Sequence, residues 1–114
     1  MISCKELSTL KKNRDFKRIY SCGKSFVSPG LVTYIIKNRK ICVRYGITTS
    51  KKIGIAVKRN RARRIIKESF RQFVPYLKGG YDIVFVARKR TPFMKCADVE
   101  VAMRKHLNQA GVLK

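Results

Sequence analysis

The residues able to do acid–base or metal chemistry in this chain are few and scattered. The acids are Glu6, Asp15, Glu68, Asp82, Asp98 and Glu100, and His106 stands alone. Hydrolysis of a phosphodiester by protein groups needs clustered carboxylates around metal ions, or a histidine, to activate water. Only Asp98 and Glu100 are close in sequence, and residues two apart on a helix do not share a face. No phosphate-binding glycine loop with a Lys and a Ser or Thr occurs. Cys4, Cys22, Cys42 and Cys96 include no Cys-x-x-Cys pair, which argues against zinc. The chain is expected to bind rather than to catalyse.

What it would bind is set by its cations. Lys and Arg number 28 against 6 acids, a formal charge of +22 spread from Lys5 to Lys114. A folded domain carrying such an excess repels itself, and a nucleic acid held through its phosphates relieves that repulsion. The densest stretch is Lys51 to Arg71, KKIGIAVKRNRARRIIKESFR, with Glu68 as its single acid. Its second half has the period of a helix. Ala62, Ile65, Ile66, Ser69, Phe70, Phe73, Val74 and Leu77 follow at steps of three and four and form one apolar stripe. Asn60, Arg63, Arg64, Lys67 and Arg71 fall opposite. Ordinary solvated faces mix signs, whereas Arg63, Lys67 and Arg71 are spaced to repel at roughly 0.2–0.5 kcal/mol per pair. A polyanion in contact removes that cost. A basic amphipathic helix also suits a membrane surface, but here a core is expected to consume the apolar stripe.

The elements that must position these residues read as follows. With 114 residues and 45% hydrophobic content, the chain is one domain spanning 1–114, with a real core. Residues 1–12 show no period and are expected to be loosely ordered. Asn13 caps a short helix bearing Phe16, Ile19 and Tyr20, which Gly23 ends. Ser28-Pro29-Gly30 is a turn. Leu31 to Lys37 reads as a strand and Ile41 to Thr49 as its hairpin partner. Gly46 implies a bulge or a close approach. Ser50 to Val57 is a loop or short strand, and the basic helix spans about 57–77, with Pro75 ending or kinking it. Tyr81 to Ala87, YDIVFVA, is apolar almost throughout and reads as a central buried strand. A last helix carries Val99, Ala102, Met103, His106, Leu107 and Ala110 on one face, with His106 at its boundary. The fold class is α+β, a sheet with helices packed on it. No apolar run approaches the ~20 residues that span a bilayer. Lys5, Lys11, Lys12 and Arg14 interrupt any signal-like run, so a cytoplasmic protein with free thiols is expected.

Phe16 and Tyr20 share a helix face and Tyr34 sits on a strand. Aromatics beside basic residues can stack unpaired bases; equally, they can fill core. The basic stretch adds to this. Ser50-Lys51-Lys52-Ile53-Gly54, then Ala56-Val57-Lys58-Arg59-Asn60-Arg61, then Arg63-Arg64, closely resembles the "RNR" signature of the bacterial ribonuclease P protein family. The likeness extends to Leu10-Lys11-Lys12-Asn13 with Phe16, to Tyr34, Gly46, Tyr81-Asp82 and Ala87-Arg88, and so to about residues 8–110. Tyr20 departs from a frequent Phe, and Arg63 from a common Lys; aromatic character and charge are kept.

The resemblance implies a two-layer α/β sandwich of about four strands and three helices. It also implies a left-handed β-α-β crossover, against the general right-handed rule, and a shape shared with a ribosomal protein domain. It implies an auxiliary subunit whose partner is a large catalytic RNA carrying Mg²⁺, with no cofactor held tightly by the protein and no protein partner required. The RNA subunit would meet Arg59, Asn60, Arg61, Arg63, Arg64 and Lys67, and the same basic face adds Arg71. The 5′ leader of precursor tRNA would lie in a cleft between sheet and first helix, on Phe16, Tyr20, Tyr34, Ile36, Thr48 and Lys52. Arg88, Lys89 and Arg90 would form a further RNA-contacting loop. Competing readings are a ribosomal or other structural RNA-binding protein, a protein-only nuclease and a cationic membrane-active protein.

Overall fold

In the computed structural model, which describes residues 7–10, 13–38 and 43–113, the chain runs β1 (Leu7–Thr9), α1 (Asn13–Cys22), β2 (Lys24–Ser28), β3 (Leu31–Lys37), β4 (Val43–Thr48), α2 (Ala56–Arg71), β5 (Tyr81–Ala87) and α3 (Cys96–Ala110). Short 3-10 turns occupy Lys51–Ile53, Val74–Tyr76 and Thr91–Phe93. The strands form one sheet in the order β1-β4-β5-β3-β2. The expected sheet of about four strands is β4, β5, β3 and β2; the three-residue β1 extends it beyond β4.

β5 is central, as its apolar run requires. Four successive residues, Asp82 to Phe85, are buried, and the strand pairs on both sides. It is antiparallel to β3, with Tyr34 opposite Val84, and parallel to β4, with Gly46 opposite Val84. This overturns the expected hairpin of residues 31–37 with 41–49. β3 and β4 are neighbours in sequence, but β5 inserts between them because only β5 is apolar enough to be covered on both faces and both edges. The hairpin is instead β2 with β3, turning at Ser28-Pro29-Gly30 with Ser28 opposite Leu31. β4, α2 and β5 form a parallel β-α-β unit. Residues 50–57, read as a loop or short strand, hold the Lys51–Ile53 turn and the start of α2. In the N-terminal segment read as loose, residues 7–9 pair in parallel with β4 and Leu10 is buried. The rest of that segment up to residue 6, with Lys11 and Lys12, lies outside the described residues, as do Cys4 and Cys42.

Side chains alternate along strands, so the registers divide the sheet into two faces. Leu31, Ile35, Ile83 and Phe85 face the main core, with Ile66 and Phe70 of α2 and Met103 and Leu107 of α3. Phe70 is its hub, its ring centroid 5.0 Å from that of Tyr45 and 5.1 Å from that of Phe85. The opposite face carries Tyr34, Ile36, Val84 and Val86, which pack with Leu10, Phe16 and Ile19 under α1. The molecule is thus a sandwich of sheet and α2–α3 pair, with the ten-residue α1 laid across part of the other face.

Three local details set the helices. α2 ends at Arg71, four residues before Pro75, because the proline ring would collide with the carbonyl four positions back; the helix is shorter than the expected 57–77. α1 stops before Gly23, where a Cβ would lie 2.6 Å from the Ile19 carbonyl oxygen, so a close approach demands the glycine. His106 is 1% exposed rather than at a boundary. Its ring nitrogens reach Ser28 Oγ at 2.8 Å and Thr33 Oγ1 at 2.9 Å, and two satisfied nitrogens let the ring be buried.

Candidate nucleic-acid interface

The stripe and ladder read from the sequence separate as expected. Ala62, Ile65, Ile66, Ser69 and Phe70 of α2 are buried, while Asn60, Arg61, Arg63, Arg64, Lys67 and Arg71 are exposed. The first turn of α2 has no acid. Its positive dipole end therefore meets further positive charge, an arrangement that favours an anion in front of it. Two of the cations have partners. Arg63 donates to Thr49 Oγ1 at 3.1 Å, and Arg71 lies 3.6 Å from Glu68. Arg59 is half-buried and its Nε is shielded from solvent with no hydrogen-bond partner. Such a donor costs free energy until an acceptor arrives.

On the opposite face, α1 lies against the sheet where the expected leader cleft would run. Phe16, Tyr34, Ile36 and Thr48 are half-buried there. The ring of Phe16 lies over Gly46, where a Cβ would be 2.7 Å from the ring carbons. The glycine marks a close approach rather than a bulge. Tyr20 is 40% exposed. It meets Tyr34 edge-to-face at 4.9 Å between centroids and donates to Thr48 Oγ1 at 3.3 Å. Phe16 and Tyr34 therefore do both things the sequence left open. They pack on Leu10, Ile19 and Val84 while keeping surface exposed. Lys52 is exposed on the turn that follows β4.

Arg18 and Arg44, at one end of this face, are cations the sequence reading passed over. Asp82, fully buried, accepts from Arg44 Nε at 2.9 Å and Nη2 at 2.6 Å, from Arg18 Nη2 at 2.7 Å and from Asn38 Nδ2 at 2.7 Å. Burial opposes its charge, but the hydrogen bonds from Arg44 and Asn38 and the two guanidinium charges outweigh that, and its pKa lies below the ordinary carboxylate value. The signal in the sequence was a carboxylate inside an apolar strand, since a buried charge must be paired. Asp15 also lies 3.9 Å from Arg44, so two arginines meet two acids at this end of the face, and Arg18, its side chain 46% exposed, is the one that still faces solvent.

The two surfaces adjoin. Thr48 bonds the cleft residue Tyr20, and the next residue, Thr49, bonds Arg63 of α2. Lys51 and Lys52 then lead into α2. Arg88 to Arg90 follow β5 and are exposed. Arg88 is partly structural, with its guanidinium on the Ser28 carbonyl at 3.1 Å. Cys22 and Cys96 are free and exposed.

Nothing in this surface assembles a reacting group. Asp82 is occupied by arginines, Asp15 lies 3.9 Å from Arg44, Glu68 faces Arg71 and His106 is held in the core. The carboxylates present do not fit a divalent-cation site, and no group of three or more His, Cys, Asp or Glu comes together among the described residues. No helix among them is long and apolar enough to cross a membrane. An exposed cationic helix face that adjoins half-exposed aromatic side chains, on an α+β sandwich, defines a basic nucleic-acid-binding domain.

Comparison with known proteins narrows that class. The family model for ribonuclease P matches residues 4–111. The ribonuclease P protein component of Clostridium kluyveri is 42% identical over 107 residues, covering 92% of this chain and 96% of its own. Among solved structures, the RNase P protein of Staphylococcus aureus superposes with a TM-score of 0.81 at 34% identity, covering 93% of this chain and 97% of its own. That of Thermotoga maritima gives 0.78 at 30% identity, covering 89% and 96%. The chain belongs to the ribonuclease P protein family, the protein components of a tRNA-processing ribonuclease.

Proposed function

We propose that this chain binds the catalytic RNA subunit of ribonuclease P through the outer face of α2 and the 5′ leader of precursor tRNA in the α1–sheet cleft. In the cytoplasm it would thereby assist endonucleolytic removal of the leader and broaden the range of substrates handled. The observation that carries the reading is the exposed ladder of Arg61, Arg63, Arg64 and Lys67 on a helix whose apolar stripe is already buried. Such a face has no use in the core and suits a polyanion. Hydrolysis, with its Mg²⁺, is assigned to the RNA subunit, because the acids among the described residues are engaged or apart.

The chain's own contribution is positional and electrostatic. Cations on α2 neutralise phosphates of one RNA. Tyr20, Tyr34 and Phe16 offer ring surface to leader bases, with Arg18, Arg44 and Lys52 near the backbone of the other. Two polyanions are thereby held close at lower repulsion, with binding energy drawn from sites remote from the scissile bond.

The test is Arg64→Ala combined with Lys67→Ala. Affinity for the RNA subunit is expected to fall, and the slope of log K against log salt to flatten by roughly one for each phosphate that is no longer neutralised. The fold should be intact, since both side chains are exposed. Affinity unchanged across salt concentrations would remove α2 from the interface. A ribosomal or other structural RNA-binding role would show as binding that ignores the leader of precursor tRNA.

A further inference from the structure

Phe93 is absent from every role assigned above, yet it is 72% exposed. A single exposed apolar residue is ordinary, so its setting decides. It ends the Thr91–Phe93 turn, whose other two residues are buried. That turn is pinned from three sides. Thr91 Oγ1 donates to the Gly30 carbonyl at 2.7 Å and accepts from the Arg88 amide at 2.8 Å, and the Phe93 amide donates to the Arg90 carbonyl at 3.0 Å. The ring is thus held out on a rigid support. It is also a ridge between two concavities. One, of about 690 Å³, lies against α2 and is lined by Val57, Arg61, Arg64 and Lys95, with no carboxylate. The other, of about 640 Å³, carries Arg90 and Lys105 against a single acid, Asp98. Lys58 Nζ stands 5.2 Å from the ring centroid.

An exposed ring encircled by cations suits a partner that is anionic and carries flat apolar parts. An acidic peptide would supply charge without the plane, and a lipid surface would want a broader apolar patch than Phe93, Val57 and Val101 provide between the cations. An RNA strand with an unpaired base supplies both. Arg61 and Arg64 belong to the α2 ladder, so the ring adjoins the face already given to the RNA subunit. We propose that Phe93 is a stacking platform for an unpaired base of the RNA subunit, with Arg61, Arg64 and Lys95 on the flanking phosphates. The proposal rests on the reading of α2 as the RNA-subunit face.

The experiment measures affinity of the RNA subunit for the protein across a salt series, for wild type, Phe93→Ala, Phe93→Leu, Phe93→Trp and Arg64→Ala. Stacking on one base is worth about 5- to 150-fold in affinity. Phe93→Ala and Phe93→Leu should both lose within that range, and Phe93→Trp should bind as wild type or tighter. The salt slope should be unchanged in the Phe93 variants, because a neutral ring displaces no counterions, and flatter in Arg64→Ala. All Phe93 variants should melt with wild type, given the exposure of the side chain. Wild-type affinity in Phe93→Ala, with Arg64→Ala weakened, would overturn the platform and leave the α2 face standing. Wild-type affinity in both would take down the face and the platform together. Phe93→Leu binding as wild type would reduce the contact to apolar packing and overturn stacking. Loss of precursor tRNA binding to the holoenzyme, with RNA-subunit affinity intact, would assign the ring to substrate and likewise overturn it.

Discussion

The fold lowers the pKa of both Asp82 and His106, which sit on opposite faces of the sheet. His106 is held below its ordinary value of 6.5, first by burial and then by the charge of Lys105. Above pH 6.5 the ring is neutral in folded and unfolded chains alike, and its contribution is complete. As pH falls below 6.5 the unfolded chain takes the proton more readily, so stability is lost until the folded pKa is passed. Asp82 is held below 3.8: burial pushes it up, but hydrogen bonds and the charges of Arg44 and Arg18 win. Its contribution is present above 3.8 and lost as pH falls through the folded value. Urea midpoints measured from pH 8 to 3 should therefore fall in two stages. His106→Gln should lack the first stage; its persistence would assign that stage to another group. Asp82→Asn should lack the second and start lower, by at most about 3–5 kcal/mol, because the charge on which Arg44, Arg18 and Asn38 converge inside the fold is gone. From sequence, Asp82 announces that it needs a cation inside YDIVFVA, but not which. Arg18 and Arg44 come from elements that only the folded sheet brings to the same end.

At the scale of elements, the cleft depends on how closely α1 lies on β4. Phe16 of α1 rests on Gly46 of β4. Gly46→Ala should push the ring outward, costing about 1–3 kcal/mol of stability and weakening leader binding by displacing Phe16. Tyr34→Ala should weaken precursor tRNA binding to the holoenzyme by about 1–3 kcal/mol, while mature tRNA binds as before. Equal losses on both ligands would make Tyr34 a structural residue only, and melting curves must accompany the assay because Tyr34 also packs on Val84. The elements legible in the sequence are those with strong periods. The stripe of α2, the continuous run of β5 and the apolar face of α3 each appear where their residues predict. β2 offers only Phe26 and Val27 between polar residues, and as an edge strand needs no more, so its pattern is silent. Strand pairing departs from the sequence expectation for a different reason. Nearness in sequence favours a hairpin, but a strand covered on both faces takes the centre wherever it falls in the chain. The helix ladder of the interface is visible from period alone, whereas the cleft is a product of registry between α1, β3 and β4.

For the whole molecule the governing quantity is +22 of formal charge on a chain whose Cα radius of gyration is 13.1 Å. A compact domain of 100 residues has about 13 Å, so the chain does not expand to relieve its repulsion. Counterions must do that in the free protein, and phosphates in the complex. The charge therefore couples folding to RNA in opposite directions with salt. Added salt should raise the melting temperature of the free protein and lower its affinity for the RNA subunit. The same reasoning separates the two halves of the proposed role. The protein alone should not cleave precursor tRNA, since the acids among the described residues are engaged or apart and His106 is buried among Ser28 and Thr33. With the RNA subunit and Mg²⁺, a single cut at the mature 5′ end should appear. Raising salt and Mg²⁺ should partly replace the protein, because screening is one thing it supplies. Discrimination between precursors with and without a leader should not return under those conditions, because it depends on ring and guanidinium contacts in the cleft, which screening does not imitate. Gel analysis of single-turnover reactions, with protein omitted and salt raised stepwise, reads both quantities at once. Full recovery of leader discrimination by salt would mean that the cleft contributes charge alone, and that the aromatic rings between α1 and the sheet are there for packing.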